Sequence, residues 1–162
     1  MNNNLDEEQQ DRVDIVRHKL KFVENKPAVA CIAWLEPMLL AGDVVPELVG
    51  IAGGVPVLAQ PDKPSVTVNW ADIQASDPDV IVLMLQGLSV EQSMGKIYAL
   101  LQLPGVDEMK AVKNNRIYIT DSKYFNDDHA AVVDGVEILA EIIHPKQFIF
   151  GYEGNAWIKF AL

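Results

Sequence analysis

The sequence predicts an α/β fold, a three-layer sandwich in which helices cover both faces of a mostly parallel sheet. Three stretches carry this prediction: the unbroken apolar runs at residues 29–34 and 80–85, and a third predicted strand at residues 116–120. Unbroken apolar runs are typical of strands that are buried on both faces. Helix-forming segments alternate with these strands along the chain, and this alternation favours parallel pairing through right-handed crossovers.

Length and composition narrow the class of protein. The chain has 162 residues, of which 49% are hydrophobic, so we expect one domain with a substantial core. The formal net charge of −10 argues against binding to nucleic acid or to an anionic membrane surface, since both require basic patches. No apolar run approaches the roughly 20 residues of a membrane span. The single cysteine, Cys31, excludes an internal disulfide, and its apolar surroundings favour a small buried side chain over a reactive thiol.

Residues 1–26 predict one amphipathic helix, from about residue 6 to residue 25. Val13, Val16, Leu20 and Val23 follow helical spacing, and Pro27 ends the helix. Acidic residues at its start and lysines near its end suit the helix dipole.

The amino terminus lacks the basic and apolar regions of a signal peptide, so the chain as given is expected to be cytoplasmic.

Residues 27–162 are expected to form a single lobe. Short helices are predicted at about residues 45–52, 69–75, 89–101 and 107–113, with a longer helix at 128–143 that has one apolar face. Residues 57–58 predict a short edge strand, and residues 61–64 a loop. Five aromatic residues lie in the segment 147–162, so we expect this tail to pack back on the lobe.

The carboxyl ends of the three parallel strands should meet at one edge of the sheet, where open α/β sheets bind ligands. The loops 34–39, 86–89 and 121–128 follow these strands, and Ser65 precedes a helix near the same edge. The residues expected to contact a ligand are Trp34, Glu36, Met38, Ser65, Gln86, Gly87, Tyr124, Phe125 and Asn126. Aromatic area with a few amides suits a flat macrocycle that carries amide side chains. The alternative is that Trp34 and Phe125 only close the top of the core.

Several motifs, in this order, resemble those of a known family. They are Trp-Leu-Glu-Pro at 34–37, Ala-Gly-Gly at 52–54, Asn-Trp-Ala-Asp-Ile at 69–73, Ala-Ser-Asp-Pro-Asp at 75–79, Tyr-Phe-Asn at 124–126 and Gly-Tyr-Glu-Gly-Asn-Ala-Trp at 151–157. From about residue 27 to residue 157 the chain resembles the carboxyl-terminal lobe of the cobalamin- and iron-siderophore-binding proteins of ABC import systems. The resemblance implies a single lobe of the helical-backbone (class III) periplasmic-binding-protein fold, with the helix at 1–26 in the place of the connector between lobes.

The resemblance also implies a function, which is non-catalytic binding of a corrinoid such as cobalamin or of another metal chelate, with no cofactor built in. Such proteins enclose the ligand between two lobes, so a second copy or another chain is expected to complete the cleft. Acids on this lobe dock onto permease arginines in the family, and Ala71 stands where an acid is common. This departure weakens the case for an ABC permease as partner. The family is normally periplasmic or exported.

Neither a catalytic nor a metal site is expected. His18, His129 and His144 are widely separated, and the adjacent acids Asp127 and Asp128 are interpreted as helix N-caps. No serine lies in a nucleophile-elbow motif, and no glycine run continues as a phosphate-binding loop. Two other functions stay open. One is a degenerate lobe that acts as a protein-interaction module, and the other is an enzyme that acts on a corrinoid.

Overall fold

The computed structural model describes residues 5–126 and 129–161 of the chain. The helices are α1 (Glu7–Leu20), α2 (Val45–Ile51), α3 (Trp70–Ser76), α4 (Val90–Met94), α5 (Ile97–Leu101), α6 (Lys110–Lys113) and α7 (His129–Ile143). The strands are β1 (Ala28–Leu35), β2 (Met38–Leu40), β3 (Val55–Pro56), β4 (Val66–Thr67), β5 (Val80–Leu83), β6 (Ile117–Thr120) and β7 (Trp157–Phe160). Two 3₁₀ turns complete the set, at Val106–Glu108 and Ser122–Tyr124. Within the described ranges, no helix combines the length and the hydrophobicity that crossing a bilayer requires.

The three predicted strands are parallel neighbours at the centre of one sheet, as expected. The strand order is β4-β2-β1-β5-β6-β7, and β3 pairs with the first residues of β1. Ile32 of β1 is aligned with Leu83 of β5, and Leu83 is aligned with Ile119 of β6. The carboxyl ends of β1, β5 and β6 therefore share one edge.

Antiparallel strands flank the predicted parallel strands on both sides of the sheet. Pro37 ends β1 as expected, but the chain then returns as β2, with Leu35 opposite Met38. This return buries Met38 and Leu40 in the core. At the other side, β7 runs antiparallel to β6. The sheet is therefore mixed, with a parallel centre.

Two apolar layers separate the sheet from its helices, which confirms the three-layer architecture. Successive residues of β1 point to opposite faces, so Cys31 and Ala33 pack beneath α2 and α7, whereas Ala30 and Ile32 pack against the helices of the other face. The first layer includes Val136 and Leu139 of α7, and the second includes Ile73 of α3 and Ile97 and Leu100 of α5. Burial raises the pKa of the Cys31 thiol to about 12, in agreement with the predicted inert role.

The first helix begins where the sequence predicts and ends earlier. Asp6 accepts from the backbone of Gln9 at 2.8 Å, and Gln9 Oε1 accepts from the backbone of Asp6 at 3.1 Å, which forms a capping box. Val13 and Val16 are buried against the lobe. The helix ends at Leu20 rather than near residue 25, because the chain turns there, with the Val23 N–H donating to Leu20 O at 3.0 Å.

A polar cluster fastens α1 and the carboxyl-terminal tail to α7. Arg12 donates to Asp134 and Glu137 of α7, and the Tyr152 hydroxyl lies 2.8 Å from Glu137 Oε1. The hydrogen bond to Glu137 raises the pKa of Arg12, and burial together with the same carboxylate raises the pKa of Tyr152. The cluster therefore holds the guanidinium charged and the phenol neutral.

The tail packs back on the lobe, as predicted, because a buried carboxylate holds it. Glu141 Oε2 accepts from the backbone N–H groups of Phe150 and Gly151 at 2.6 and 3.1 Å. Its Oε1 accepts from the Tyr152 backbone at 3.2 Å and from Trp157 Nε1 at 3.0 Å. These contacts cover the side of α7 that faces away from the sheet, which explains why this helix is buried on nearly all sides rather than on one face.

Candidate functional site

A cavity of about 640 Å³ opens at the carboxyl edge of the parallel strands. Ala33 of β1, Met84 just after β5 and Asp121 just after β6 lie at the strand ends. Loops and the first turns of α2 and α4 form its walls. The full lining is Ala33, Ala41, Gly42, Asp43, Val45, Ser65, Met84, Gln86, Gly87, Leu88, Ser89, Gln92, Asp121, Ser122, Lys123, Phe125 and Asn126. We call it the edge cavity.

One wall of the edge cavity depends on the close approach of two loops. The Gly42 N–H donates to Ser65 Oγ at 3.1 Å, and the Asp43 N–H donates to Lys63 O at 2.6 Å. A Cβ on Gly42 would stand 2.5 Å from the Lys63 carbonyl, so only glycine allows this approach. Asp43 adopts a left-handed conformation with φ of 56°, which an aspartate tolerates better than most residues. The wall thus places the Asp43 carboxylate at the cavity.

A second wall combines the turn after β5 with the start of α4. Gly87 has a positive φ of 76° and lies at the open side of this turn. Ser89 Oγ accepts from the Gln92 backbone at 3.2 Å, and Gln92 Oε1 accepts from the Ser89 backbone at 2.9 Å. This capping box uses both side chains as acceptors. The Ser89 hydroxyl hydrogen and the Gln92 amide hydrogens therefore remain as donors for a ligand.

The third wall is the turn after β6. Asp121 Oδ1 accepts from the Lys123 backbone at 3.0 Å, and Lys123 Nζ lies 4.0 Å from Asp121 Oδ2. The turn rests on α7 at Gly135, where an added Cβ would stand 2.7 Å from the Tyr124 carbonyl oxygen. The absence of a side chain at Gly135 therefore decides how closely Phe125 approaches the lobe.

The described lining of the edge cavity is apolar at its base and polar at its rim, with few charges. Asp43 and Asp121 carry two carboxylates and Lys123 one ammonium, which leaves a net charge of −1. The neutral hydrogen-bonding side chains are Ser65, Gln86, Ser89, Gln92, Ser122 and Asn126. In residues 5–126 and 129–161, no group of three or more His, Cys, Asp or Glu residues could hold a metal ion. This part of the site can bind a small molecule, but it has no set of ligands for a bare metal ion.

The edge cavity brings together five of the nine residues that the sequence predicts for the site: Ser65, Gln86, Gly87, Phe125 and Asn126. Trp34 lines a separate, shallow hollow of about 340 Å³ with Pro37, Leu39 and Gln86. Lys96 Nζ lies 5.6 Å from the centre of the Trp34 ring. Because side chains alternate along β1, Ala33 points toward the edge cavity and Trp34 packs against the other layer of the core. Among the described residues, only Gln86 lines both hollows.

Three further site residues do not line the edge cavity. Met38 is only 7% exposed, because β2 carries it into the core instead of leaving it in a loop. Glu36 is exposed at the turn between β1 and β2. Tyr124 packs edge-on against Tyr152 of the tail, with ring centres 6.4 Å apart. Asp127 and Asp128, interpreted as N-caps, lie outside the described residues, and so does the side chain of His129.

Sequence reasoning missed several residues that shape the edge cavity, namely Gly42, Asp43, Gln92, Lys123 and Gly135. Two of them carry a signal that could have been used. Gly135 lies in the middle of a long apolar helix, where glycine costs about 1 kcal/mol and therefore indicates a close contact. Ser89 and Gln92 have the spacing of a capping box, which places both at the start of a helix next to the β5 turn.

Comparison with known proteins agrees with the observed fold. A family model described as periplasmic binding protein matches residues 4–124. The chain is similar to a TroA-like periplasmic binding protein, FepB, from Veillonella parvula, with 17% identity and a TM-score of 0.74 over 94% of this chain and 54% of that one. No curated protein sequence gives a significant match.

Two other solved structures have similar folds. A protein of an ABC-type Fe³⁺-hydroxamate transport system from Saccharomonospora viridis has 23% identity and a TM-score of 0.69, over 85% of this chain and 47% of that one. IsdE from S. aureus, solved in complex with heme, has 20% identity and a TM-score of 0.70, over 83% of this chain and 54% of that one. The chain thus spans about half the length of these proteins. Identities in this range indicate a shared fold.

Proposed function

This chain belongs to the periplasmic binding protein family, and from this premise we propose that it binds a neutral or positively charged metal chelate in the edge cavity. Proteins of the family typically bind their substrates without transforming them, and the family is normally periplasmic. One protein of similar fold belongs to an Fe³⁺-hydroxamate transport system, and another was solved in complex with heme, and both ligands are metal chelates. The corrinoids that the sequence suggests belong to the same chemical class, because they carry a metal in an organic macrocycle.

The observation that carries the proposal is the lining of the edge cavity. Its volume of about 640 Å³ lies within the usual range for small-molecule sites. Apolar side chains at its base, such as Met84 and Phe125, provide contact area for an organic ligand. Hydroxyls and amides at the rim can hydrogen-bond to the carbonyl and amide groups that hydroxamate chelators and corrinoids present. Since the described residues offer no set of three metal ligands, the metal should arrive already chelated.

The charge of the lining favours some chelates over others. In the described lining, the charge of Lys123 is balanced by that of Asp121. The Asp43 carboxylate has no cation beside it in this lining, so a bound ligand experiences mainly this negative charge. Because Asp43 is exposed to solvent, its interaction with a charge on the ligand should be worth about 0.2–1 kcal/mol. A ligand with free carboxylates, such as heme, should therefore bind more weakly than a cationic ferric hydroxamate or the cationic corrinoid cobinamide.

A second lobe should complete the site. The edge cavity is open on the side away from the sheet, and the chain spans about half the length of proteins with this fold. We propose that a second copy or another polypeptide covers the ligand from that side. Ala71, in the first turn of α3, stands where the family resemblance places an acid for permease docking. The proposed role is therefore ligand binding rather than delivery to a permease.

Titration of the purified chain, followed by absorbance, tests the proposal. The ligands are ferrioxamine B, cobinamide, cyanocobalamin and heme, and we expect the cationic and neutral chelates to bind more tightly than heme. Asp43→Asn should reduce this preference by up to about fivefold. Asp107→Asn, which removes an exposed carboxylate from the turn Val106–Glu108, is the matched control and should change nothing.

Two results would contradict the proposal. If no chelate binds at millimolar concentration, the alternative from the sequence applies, in which a degenerate lobe serves as a protein-interaction module. If heme binds most tightly and Asp43→Asn has no effect, the chelate class is wrong even though the cavity is used.

A further inference from the structure

A second surface lies at the opposite end of the sheet from the edge cavity. The last turn of α1 and residues 21–26 lead into the amino end of β1. Arg116, which precedes β6, donates through Nη2 to the Ile142 carbonyl at 2.6 Å, so the carboxyl end of α7 and the tail that follows lie at the same end. We call this the basal surface, and its exposed cationic and large apolar side chains are Arg17, Lys19, Lys21, Phe22, Lys26, Lys146, Ile149 and Phe150.

The basal surface exposes large apolar side chains. Phe22 is 86% exposed and Ile149 is 90% exposed. Phe150 stacks on the buried Phe148 ring with centres 5.7 Å apart, and Lys19 Nζ lies 5.6 Å from the Phe148 ring centre. Lys21 Nζ lies 5.6 Å from the Phe22 ring centre. Aromatic side chains and ammonium groups are therefore interleaved, and the apolar tips project outward instead of lining a groove.

Charge at the basal surface has the opposite sign to that of the whole chain. Residues 17–26 contain four cations, Arg17, Lys19, Lys21 and Lys26, and one acid, Glu24, which gives +3 in a chain of net charge −10. Glu47 of α2 lines the same hollow as three of these cations and reduces the local charge to +2. At physiological salt the screening length is about 8 Å, so acids elsewhere on the molecule are largely screened at this surface. The partner that complements it is anionic.

We propose that the basal surface rests on an anionic phospholipid membrane. Phe22 and Ile149 enter the headgroup region, and the neighbouring lysines extend to the lipid phosphates. Projecting apolar tips among cations suit a soft, negatively charged surface better than the groove of a folded protein. A symmetric contact with a second copy would bring the cations of the two copies together, and they would repel each other. In this orientation the edge cavity, at the other end of the strands, faces away from the lipid.

Co-sedimentation of the purified chain with lipid vesicles tests this proposal. Vesicles of phosphatidylcholine alone are compared with vesicles that contain about one quarter phosphatidylglycerol, at low and high salt. We expect binding only to the anionic vesicles and loss of binding at high salt. Lys19→Gln and Lys21→Gln should each weaken binding about fivefold, and Phe22→Ser and Ile149→Ser about tenfold each.

Tyr98→Ser is the matched control, because Tyr98 is 66% exposed on α5, which packs on the other face of the sheet from α1 and α7. It should leave vesicle binding unchanged.

Equal binding to neutral vesicles, no binding to anionic vesicles at low salt, or an equal loss in the Tyr98 variant would each overturn the proposal. Self-association that Phe22→Ser abolishes, without vesicle binding, would assign the surface to a protein contact instead. Chelate titration with and without vesicles keeps this test separate from the proposed ligand function.

Discussion

Gly135 of α7 lies directly beneath Phe125, and a Cβ on the glycine would stand 3.4 Å from Phe125 Cε1 and 2.7 Å from the Tyr124 carbonyl oxygen. Phe125 is the aromatic side chain of the edge cavity, so α7, which contributes no described residue to the lining, controls one of its walls. The geometry of the site therefore depends on residues that no ligand would touch.

We expect Gly135→Ala to destabilise the protein although alanine favours a helix by about 1 kcal/mol over glycine. The added methyl group would push the backbone of the Ser122–Tyr124 turn outward, because a carbonyl oxygen at 2.7 Å cannot be accommodated without a shift. Thermal denaturation measures the effect. Gly50→Ala in α2 is the control, since a Cβ there meets no atom within 4 Å, and it should raise stability by up to about 1 kcal/mol. If both variants are stabilised, the packing of Phe125 on α7 is looser than described.

Substitution of Phe125 and of Trp34 distinguishes the two hollows at the strand ends. Phe125→Ala should weaken chelate binding by about thirtyfold, the loss of about 2 kcal/mol that is typical of a well-packed aromatic contact. Trp34→Ala should change the affinity less than threefold, because Trp34 lines the smaller hollow. Isothermal titration provides both values. The reverse order of effects would place the ligand in the hollow beside Trp34. The sequence alone predicts that both aromatic side chains contact the ligand.

Replacement of Glu141 should release the tail. The carboxylate is buried and accepts from three backbone N–H groups and from Trp157 Nε1. Glu141→Gln turns one acceptor into a donor that faces these donors, so we expect a loss of about 3–5 kcal/mol in the free energy of unfolding. Urea denaturation gives the loss, and faster proteolysis within residues 147–161 reports detachment. Glu153→Gln, at an exposed position of the same tail, should leave both measurements unchanged.

Stability should fall as the pH rises above about 9, because burial raises the pKa of Cys31 from 9.0 to about 12. Above pH 9 the thiol of the unfolded chain ionises, whereas the folded chain keeps its proton until about pH 12, so deprotonation favours unfolding. The loss should be roughly 1.4 kcal/mol per pH unit in this window, and stability below pH 9 should be unaffected by this group. Urea denaturation at pH 8, 9.5 and 10.5 compares the chain with Cys31→Ala. Parallel pH profiles for the two proteins would exclude this role for the thiol.

The sequence by itself determined the centre of the fold. Residues 29–34 and 80–85 are apolar without interruption, and such runs are stable only between two covering layers, so a parallel sheet between helices followed from local pattern. The same pattern located the edge where Gln86, Gly87 and Phe125 meet. The tail could be expected to fold back because five aromatic side chains would otherwise be exposed to water.

The tertiary structure decided which neighbouring residue faces the cavity. Ala33 and Trp34 are adjacent in sequence but belong to opposite faces of β1, and Phe125 faces the cavity while Tyr124 packs on Tyr152. Side chains on a strand alternate, so the choice depends on which helices cover each face, and those contacts join residues far apart in the chain. The short antiparallel strands could not be predicted from the sequence for the same reason. β2 is only three residues long, and the position of β7 depends on Glu141, sixteen residues before Trp157.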